Sequence, residues 1–490
     1  GTAPTGTVSV TIVDVVKPNV APGTPPALQP GEVALFVDGL RTANRFNGDL
    51  VLASRPSAPS ISDLQVFLTA AGNAQVSSIP AFAGGSAIAF PAINKNVFGV
   101  TGTLGGSLQV RSSQTPNIAL SGVVSLNSAI PAISSATALP VFRSDRGVGA
   151  GEKLVLTGAQ DSQTGVWIQE VSGNAGHVSI QYLDANGAVV GTDSGDFPGF
   201  AAAVSTAPDG ARSVVITNDS TTGGRFDGYA AINDETTSDG WILTDSLHHW
   251  GTASGPLFMP IIPSAANDVY VTNTSNATAS VTLEVDSGAR HHAVRPARAA
   301  STQSLTIPAM GTSKTTLPAQ TAFVRINSAT GVTAAGRVTL ASNGATFGSS
   351  LPAVPASAAL ANGQGKRFTG VDDASVKSIA AKVPQTYRST LMLIETTGQS
   401  ATVRVTLTYT FIAGFTVSSV GVSSHDFTIA PNEMLTIPDL ARAVIGSQRD
   451  AFGDLRNMQV DIDVIGGSGK VLAFIESVDS ASGDMMVRAE

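Results

Sequence analysis

The densest group of chemically capable side chains in this sequence is acidic: Asp193, Asp196, Asp219, Asp227, Asp234, Glu235 and Asp239. They lie in a stretch rich in turn residues, and loops are where a calcium ion gathers its six to eight oxygen ligands. No EF-hand or GGxGxD spacing surrounds them, so solvated turn aspartates are the simpler reading, with calcium the single cofactor candidate. Asp372-Asp373 is a smaller group of the same kind. The six histidines are His177, His248, His249, His291, His292 and His425. Two pairs are adjacent in sequence, and neighbouring residues on a strand point to opposite faces, so neither pair is a natural chelate. No GxSxG elbow, HExxH helix, Walker A loop or GxGxxG unit occurs. Paired carboxylates could serve a glycosidase, but here they are scattered among only three tryptophans, Trp167, Trp241 and Trp250. Trp241, Trp250 and Tyr229 gather near one boundary, where they read as packing between domains or as a small ligand patch. The expectation is a non-enzymatic protein with no catalytic, cofactor or metal residue.

The composition narrows the setting. There is no cysteine in 490 residues, which excludes disulfides, thiolate metal sites and cysteine nucleophiles. Charged residues are 13 %, about half the usual share. The surface is therefore built from Ser, Thr, Asn, Gln, Gly and small apolar groups, as in many secreted β proteins. A net charge of −8 leaves no basic footprint for nucleic acid, and no apolar run reaches the ~20 residues of a membrane helix. The first residues, Gly1 to Gly6, contain no Met and no signal peptide, so the sequence reads as a product whose leader has been removed or as a trimmed piece. An extracellular, bacterial setting is expected. Asn218, Asn273 and Asn276 begin matches to the N-glycosylation pattern.

A fourfold repeat must position these residues. The first element is VALFVDGLR (33–41), ALPVFRSDR (138–146), PLFMPIIPS (256–264) and SIAAKVPQT (378–386). The second is DLVLA (49–53), KLVLT (153–157), DVYVTN (268–273) and TLMLIE (390–395). A third, strictly alternating element begins at Asp63, His177, Ala279 and Ala401 and in three cases ends in a hairpin turn such as Asn-Gly or Ser-Gly. A proline-bearing element and two more alternating strands complete each unit. The period is roughly 104 to 121 residues, longer than the 20–50 of propellers and solenoids. Six or seven short strands per period, with one wet face each, specify a sandwich of two antiparallel sheets. The fold class expected is all-β: four tandem Ig-like antiparallel β-sandwich domains preceded by a free N-terminal β-strand and a Pro-rich linker. The boundaries are 1–32 for the arm and linker, then 33–136, 137–255, 256–355 and 356–490, with a short helix near 437–452.

Thr7–Val16 reads TVSVTIVDVV, a strand that belongs to no repeat, and Pro18, Pro22, Pro25, Pro26 and Pro30 follow it in a semi-rigid linker. A lone strand is unstable in water and must join a sheet. It could fold back on the first repeat, end an upstream domain, or complete a sheet in a neighbouring subunit through main-chain hydrogen bonds. In the last case the assembly residues are Val8, Val10, Ile12, Val13, Val15 and Val16, and the head-to-tail contact builds a filament. The last repeat is the first guess for the acceptor.

This layout resembles bacterial secreted and surface proteins built of tandem Ig-like repeats, and in particular fibre subunits that polymerise by donor-strand exchange. The resemblance is architectural. It implies a structural subunit of an extracellular filament or surface layer, its partner a second copy, with sandwiches in series spanning on the order of 150 Å. The alternative is a monomeric or anchored adhesin or ligand-binding array that meets a cell-surface glycan or matrix. A secreted hydrolase or its accessory domains is the third class.

Overall fold

A computed structural model describes residues 10–12, 20–23, 25–42, 46–54, 58–70, 73–100, 102–126, 135–160, 164–233, 240–250, 255–263, 265–286, 289–291, 301–318, 322–329, 331–342, 345–373, 387–413, 417–479 and 484–489. The chain is nearly all β, in eight small sheets, two from each repeat.

Each repeat runs through eight strands in the same order. Strands one are Ala34–Thr42, Lys153–Thr157, Leu257–Pro260 and Gly365–Asp373, and strands two are Phe46–Ser54, Thr164–Glu170, Ala266–Asn273 and Tyr387–Glu395. The hairpin of strands three and four is Gln65–Ala70 with Asn73–Ser78, Gly176–Leu183 with Val189–Phe197, Ala279–Asp286 with Ser301–Ile307, and Ala401–Ala413 with Val417–Ile429. Strands five are Ala87–Phe90, Ala202–Thr206, Thr312–Leu317 and Met434–Ile437, and strands six are Gly102–Arg111, Ser213–Asn218, Phe323–Ser328 and Leu455–Gly467. Strands seven are Ile118–Leu126, Phe226–Asn233, Val332–Ser342 and Val471–Asp479, and strands eight are Ser135–Leu139, Gly240–Thr244, Ala345–Pro352 and Met485–Arg488. One sheet takes the order five-two-seven-eight and the other one-six-three-four.

The alternation in sequence sets the inner faces. Along Ala279–Asp286, Val281, Leu283 and Val285 are buried while Ser280, Thr282 and Glu284 are not. Leu50 and Leu52 of strand two meet Leu108 and Val110 of strand six in the core of repeat one, and Val166 and Ile168 meet Val214 and Ile216 in repeat two. The expected short helix is Leu440–Ile445, continued by a tighter turn over Gly446–Ala451, and its counterpart in repeat one is Ile93–Asn96.

Two readings of the repeat shift. KLVLT is strand one of repeat two, not strand two, which is instead TGVWIQE. Strand one of repeat four is Gly365–Asp373, and the segment 378–386 lies outside the described residues. Short runs such as KLVLT and DLVLA are alike in pattern, so alternation alone cannot number them.

The proline-bearing element is a turn that aims strand five. Gly85, Phe200, Met310 and Asn432 occupy corresponding positions in it with φ of 78°, 61°, 57° and 53°. The next residue accepts a hydrogen bond from the last residue of strand two: Ser54 N to Ser86 O, Glu170 N to Ala201 O, Asn273 N to Gly311 O and Glu395 N to Glu433 O. In repeats two and four a carboxylate clamps this corner. Glu170 accepts from the amides of Ser172, Gly173 and Phe200 at 2.7–2.8 Å, and Glu395 from those of Thr397, Gly398 and Asn432 at 2.7–2.9 Å. Burial alone would raise the Glu395 carboxyl, but the Thr397 hydroxyl and these amides hold it below the usual range.

A depressed native value means stability present above the unfolded value and lost as pH falls through the folded one. Glu395→Ala is expected to destabilise repeat four by about 3 kcal/mol, the scale of one or two hydrogen bonds to a charged acceptor plus orphaned amides. Hydrogen exchange of the Thr397, Gly398 and Asn432 amides checks this. Their protection should weaken in the native chain on acidification below the ordinary glutamate range and be lower than native in the variant at neutral pH.

Candidate functional sites: ring seams, central cavity and edge seats

The repeats do not run in series. The sheet carrying strand one of each repeat packs on the sheet carrying strand two of the next, and the fourth repeat packs on the first, which closes a ring. The first seam is aromatic: Phe36, Phe142, Val171, Phe200 and Tyr229 form one buried cluster. Trp167 stacks on Tyr229 at 5.9 Å, and the Tyr229 hydroxyl donates to Asp38 O at 3.2 Å. Gly39, with φ of 83°, makes room there, since a Cβ would sit 2.5 Å from that hydroxyl. In the second seam Arg337 lies 3.4 Å over the Trp241 ring and donates to Gln160 Oε1 at 2.9 Å, while Gln160 donates to the Tyr270 hydroxyl. The third is apolar: Leu257, Met392, Ile394, Phe474, Met485 and Val487 share one cluster.

The fourth seam joins the two ends of the chain and rests on two buried arginines. Arg367 forks onto Asp461 at 2.5 and 2.6 Å and donates its remaining nitrogen to Ser54 O of repeat one. Arg488 donates to Ser121 Oγ at 2.9 Å and Thr369 O at 2.7 Å. Asp484 accepts from Ala136 N at 2.6 Å. Tyr229 therefore belongs to the first seam, not beside Trp241 and Trp250, because strand seven of repeat two faces backward along the ring.

The four eighth strands converge on the ring axis around a cavity of about 500 Å³, whose lining includes Thr137, Ile242, Leu351 and Met486. Arg146, Asp227, His249, Trp250 and Lys366 also line it. Lys366 Nζ lies 4.9 Å from the Trp250 ring centre and donates to Ala489 O at 3.4 Å. Arg146 donates to His249 O at 3.3 Å. Burial, then the charges of Arg146 and Lys366, push His249 down to about 4, so it is neutral at physiological pH. Burial pushes Asp227 up to about 7, against the Gly228 amide. The cavity has the size of a small-molecule site, and Arg146 and Lys366 are among the cationic side chains along its wall.

The acidic stretch of repeat two does not converge. Asp219 pairs with His177 at 2.6 Å, Asp193 bonds Ser205, Asp196 stands opposite His177 in the hairpin, and Asp227 is buried in the first seam. Asp234, Glu235 and Asp239 lie outside the described residues. Among the described residues no three metal-ligating side chains come together. His248 Nδ1 donates to Asp245 Oδ2 at 2.9 Å, and that bond raises its pKa. Asp373 is fully buried against Arg449 at 2.6 Å, and Asp372 accepts from Asn457 N, so this pair is structural. Asn218 and Asn273 are buried, their amide groups bonded to Val148 O and Gly224 O and to Ala277 O respectively, whereas Asn276 is exposed.

Of the expected assembly residues, Val8, Val13, Val15 and Val16 lie outside the described residues. Val10–Ile12 pairs in parallel with strand five of its own first repeat, Val10 opposite Ala87 and Ile12 opposite Ala89. The linker strand Val20–Pro22 joins the other sheet, antiparallel to Asn73–Ser78. A second such guest carries no signature in sequence: Ala289–His291, from the third repeat, pairs in parallel with Met434–Thr436 of the fourth. The other two guests extend strands one, Val141–Arg143 on repeat one and Val354–Pro355 on repeat three. No helix among the described residues is long and apolar enough to cross a membrane. No protein-family model matches the chain, and no curated protein matches its sequence.

Two outcomes follow from the ring. Small-angle scattering should give a radius of gyration of about 23–26 Å, near that of a compact chain of this length, where sandwiches in series would exceed roughly 40 Å. Asp38 is also buried in the first seam, and burial pushes it up to about 7 against the Ser107 hydroxyl. A raised native carboxyl stabilises below the unfolded value, and that contribution is lost as pH rises through about 7. Asp38→Asn should therefore flatten the fall in melting temperature between about pH 4 and pH 7.

Proposed function

We propose that the chain is a non-enzymatic structural subunit of an extracellular bacterial filament or surface layer, assembling with copies of itself through its N-terminal strand. One observation carries this reading: among the described residues the repeats pack on one another through their sheet faces, and the fifth strands lie at the sheet edges away from the axis. Assembly through those edges would proceed by strand addition, in which main-chain hydrogen bonds give affinity. The N-terminal strand is suited to that task. It lies outside the repeats, it holds its own edge by three residue pairs, and a proline-rich stretch follows it.

The cavity favours one second reading, a ligand-binding or adhesive array in which Arg146 and Lys366 meet an acidic group, as on a surface glycan.

Electron microscopy of the native protein beside a chain lacking residues 1–30 separates the two. The proposal expects filaments or sheets that disappear in the truncation, and single rings in both samples would refute it. Val10→Asp and Ile12→Asp put a charge into a strand of β-branched residues, and each is expected to abolish assembly while leaving the melting of the repeats within a few degrees of the native chain.

A further inference from the structure

The fifth strands form the outer edges of their sheets, opposite the eighth strands at the axis. In two repeats a guest strand covers that edge. Val10–Ile12 covers repeat one, with Val10 opposite Ala87, and Ala289–His291 covers repeat four, with Ala289 opposite Met434. Ala87 and Met434 are equivalent, because each follows the residue that accepts the hydrogen bond from the end of strand two, Ser86 and Glu433. Two unrelated segments thus take one seat in the same direction and register. In repeat three the seat begins at Thr312, whose amide donates at 3.0 Å to Ala185 O in the turn between strands three and four of repeat two. Lys314 stands in that edge, paired with Asp268 at 2.8 Å, and an edge lysine deters strand addition.

Repeat two is different. Ala201 accepts the marker bond from Glu170, so its seat is Ala202, Ala203 and Val204. Strand five pairs with Thr164–Glu170 on one side, and among the described residues no strand pairs with it on the other. All three seat residues are exposed, Val204 at 50 %, and the strand holds no lysine, proline or bulge. Val204 is one of five exposed large apolar side chains among the described residues. The edge runs five residues, Ala202–Thr206, where the occupied edge of repeat one runs four before its helix.

We propose that this edge is the acceptor for the N-terminal strand of a second copy, added in parallel with Val10 opposite Ala202 and Ile12 opposite Val204. The proposal rests on the assembly reading above and names its acceptor as repeat two, not the last repeat. The donor is a second copy because the chain already places that strand in the homologous seat of repeat one, in the direction and register that repeat two leaves open.

The chain has no cysteine, so engineered pairs report without background. Full-length Ile12→Cys is mixed with full-length Val204→Cys, and separately with full-length Ala89→Cys, under mild oxidation. Cysteine keeps each position apolar, and strand partners lie within the Cα range that a disulfide spans. The expected result is a disulfide-linked dimer with Val204→Cys, lost when Val204→Ser replaces it. A dimer with Ala89→Cys alone would mean exchange at the seat of repeat one: the acceptor is then wrong, and the assembly reading stands. Assembled particles without either link overturn the acceptor in the same way. No link and the mass of a single chain overturn both. Since Val204→Ser alters only an exposed side chain, matched melting curves of that variant and the native chain establish that loss of the dimer reflects the edge and not the fold.

Discussion

The structure depends on one seam that must close. A sheet of each repeat lies on a sheet of the next, always in the same sense, and a head-to-tail contact of this kind either spirals or returns on itself. Here it returns, and the buried side chains that secure the return are Arg367 and Arg488. Both guanidiniums donate to oxygens of the first repeat, Ser54 O and Ser121 Oγ. Each keeps a second partner within the fourth repeat, Asp461 for Arg367 and Thr369 O for Arg488, so both are held in place to meet the first repeat. The central cavity, lined by the eighth strands of all four repeats, follows from that closure.

The seams share a plan and differ in chemistry. The first is aromatic, the second is a cation over an indole, the third is apolar and the fourth is made of hydrogen bonds from and to charged side chains. Shape complementarity in one seam gives no purchase in another, because an arginine facing the apolar seam would be buried without a partner. The order of the repeats around the ring is thereby specified by side chains as well as by the connecting chain.

The sequence made the β class, the repeat and the alternating hairpins legible, because a half-buried strand writes its exposure into every second residue, as in Ala279–Asp286. It hid the numbering of strands one and two, since KLVLT and DLVLA carry the same pattern. It hid the ring more completely. Phe36, Trp167 and Tyr229 lie on faces that a lone sandwich would show to water, and a strand apolar on both faces reads simply as a strand. The guest strands were half visible. Thr7–Val16 announced itself by its isolation and its prolines, whereas Ala-Arg-His at 289–291 has no pattern that distinguishes it from a loop. For the acidic stretch of repeat two, nearness in sequence was misleading, because strand direction sends Asp219 to His177 and Asp227 into a seam.

The fourth seam has a consequence that comes from covalent linkage. A ring of separate subunits is held by mass action, and each of its contacts must be strong enough to survive dilution. In this ring the first and last repeats belong to one polypeptide, so the closing contact is unimolecular and works at an effective concentration that dilution leaves unchanged. Arg367 and Arg488 need only outweigh the entropy of bringing two tethered bodies together, which grows slowly with the length of chain between them. The latch can therefore be weak in absolute terms and still be closed almost all the time, and it can open locally without the particle coming apart.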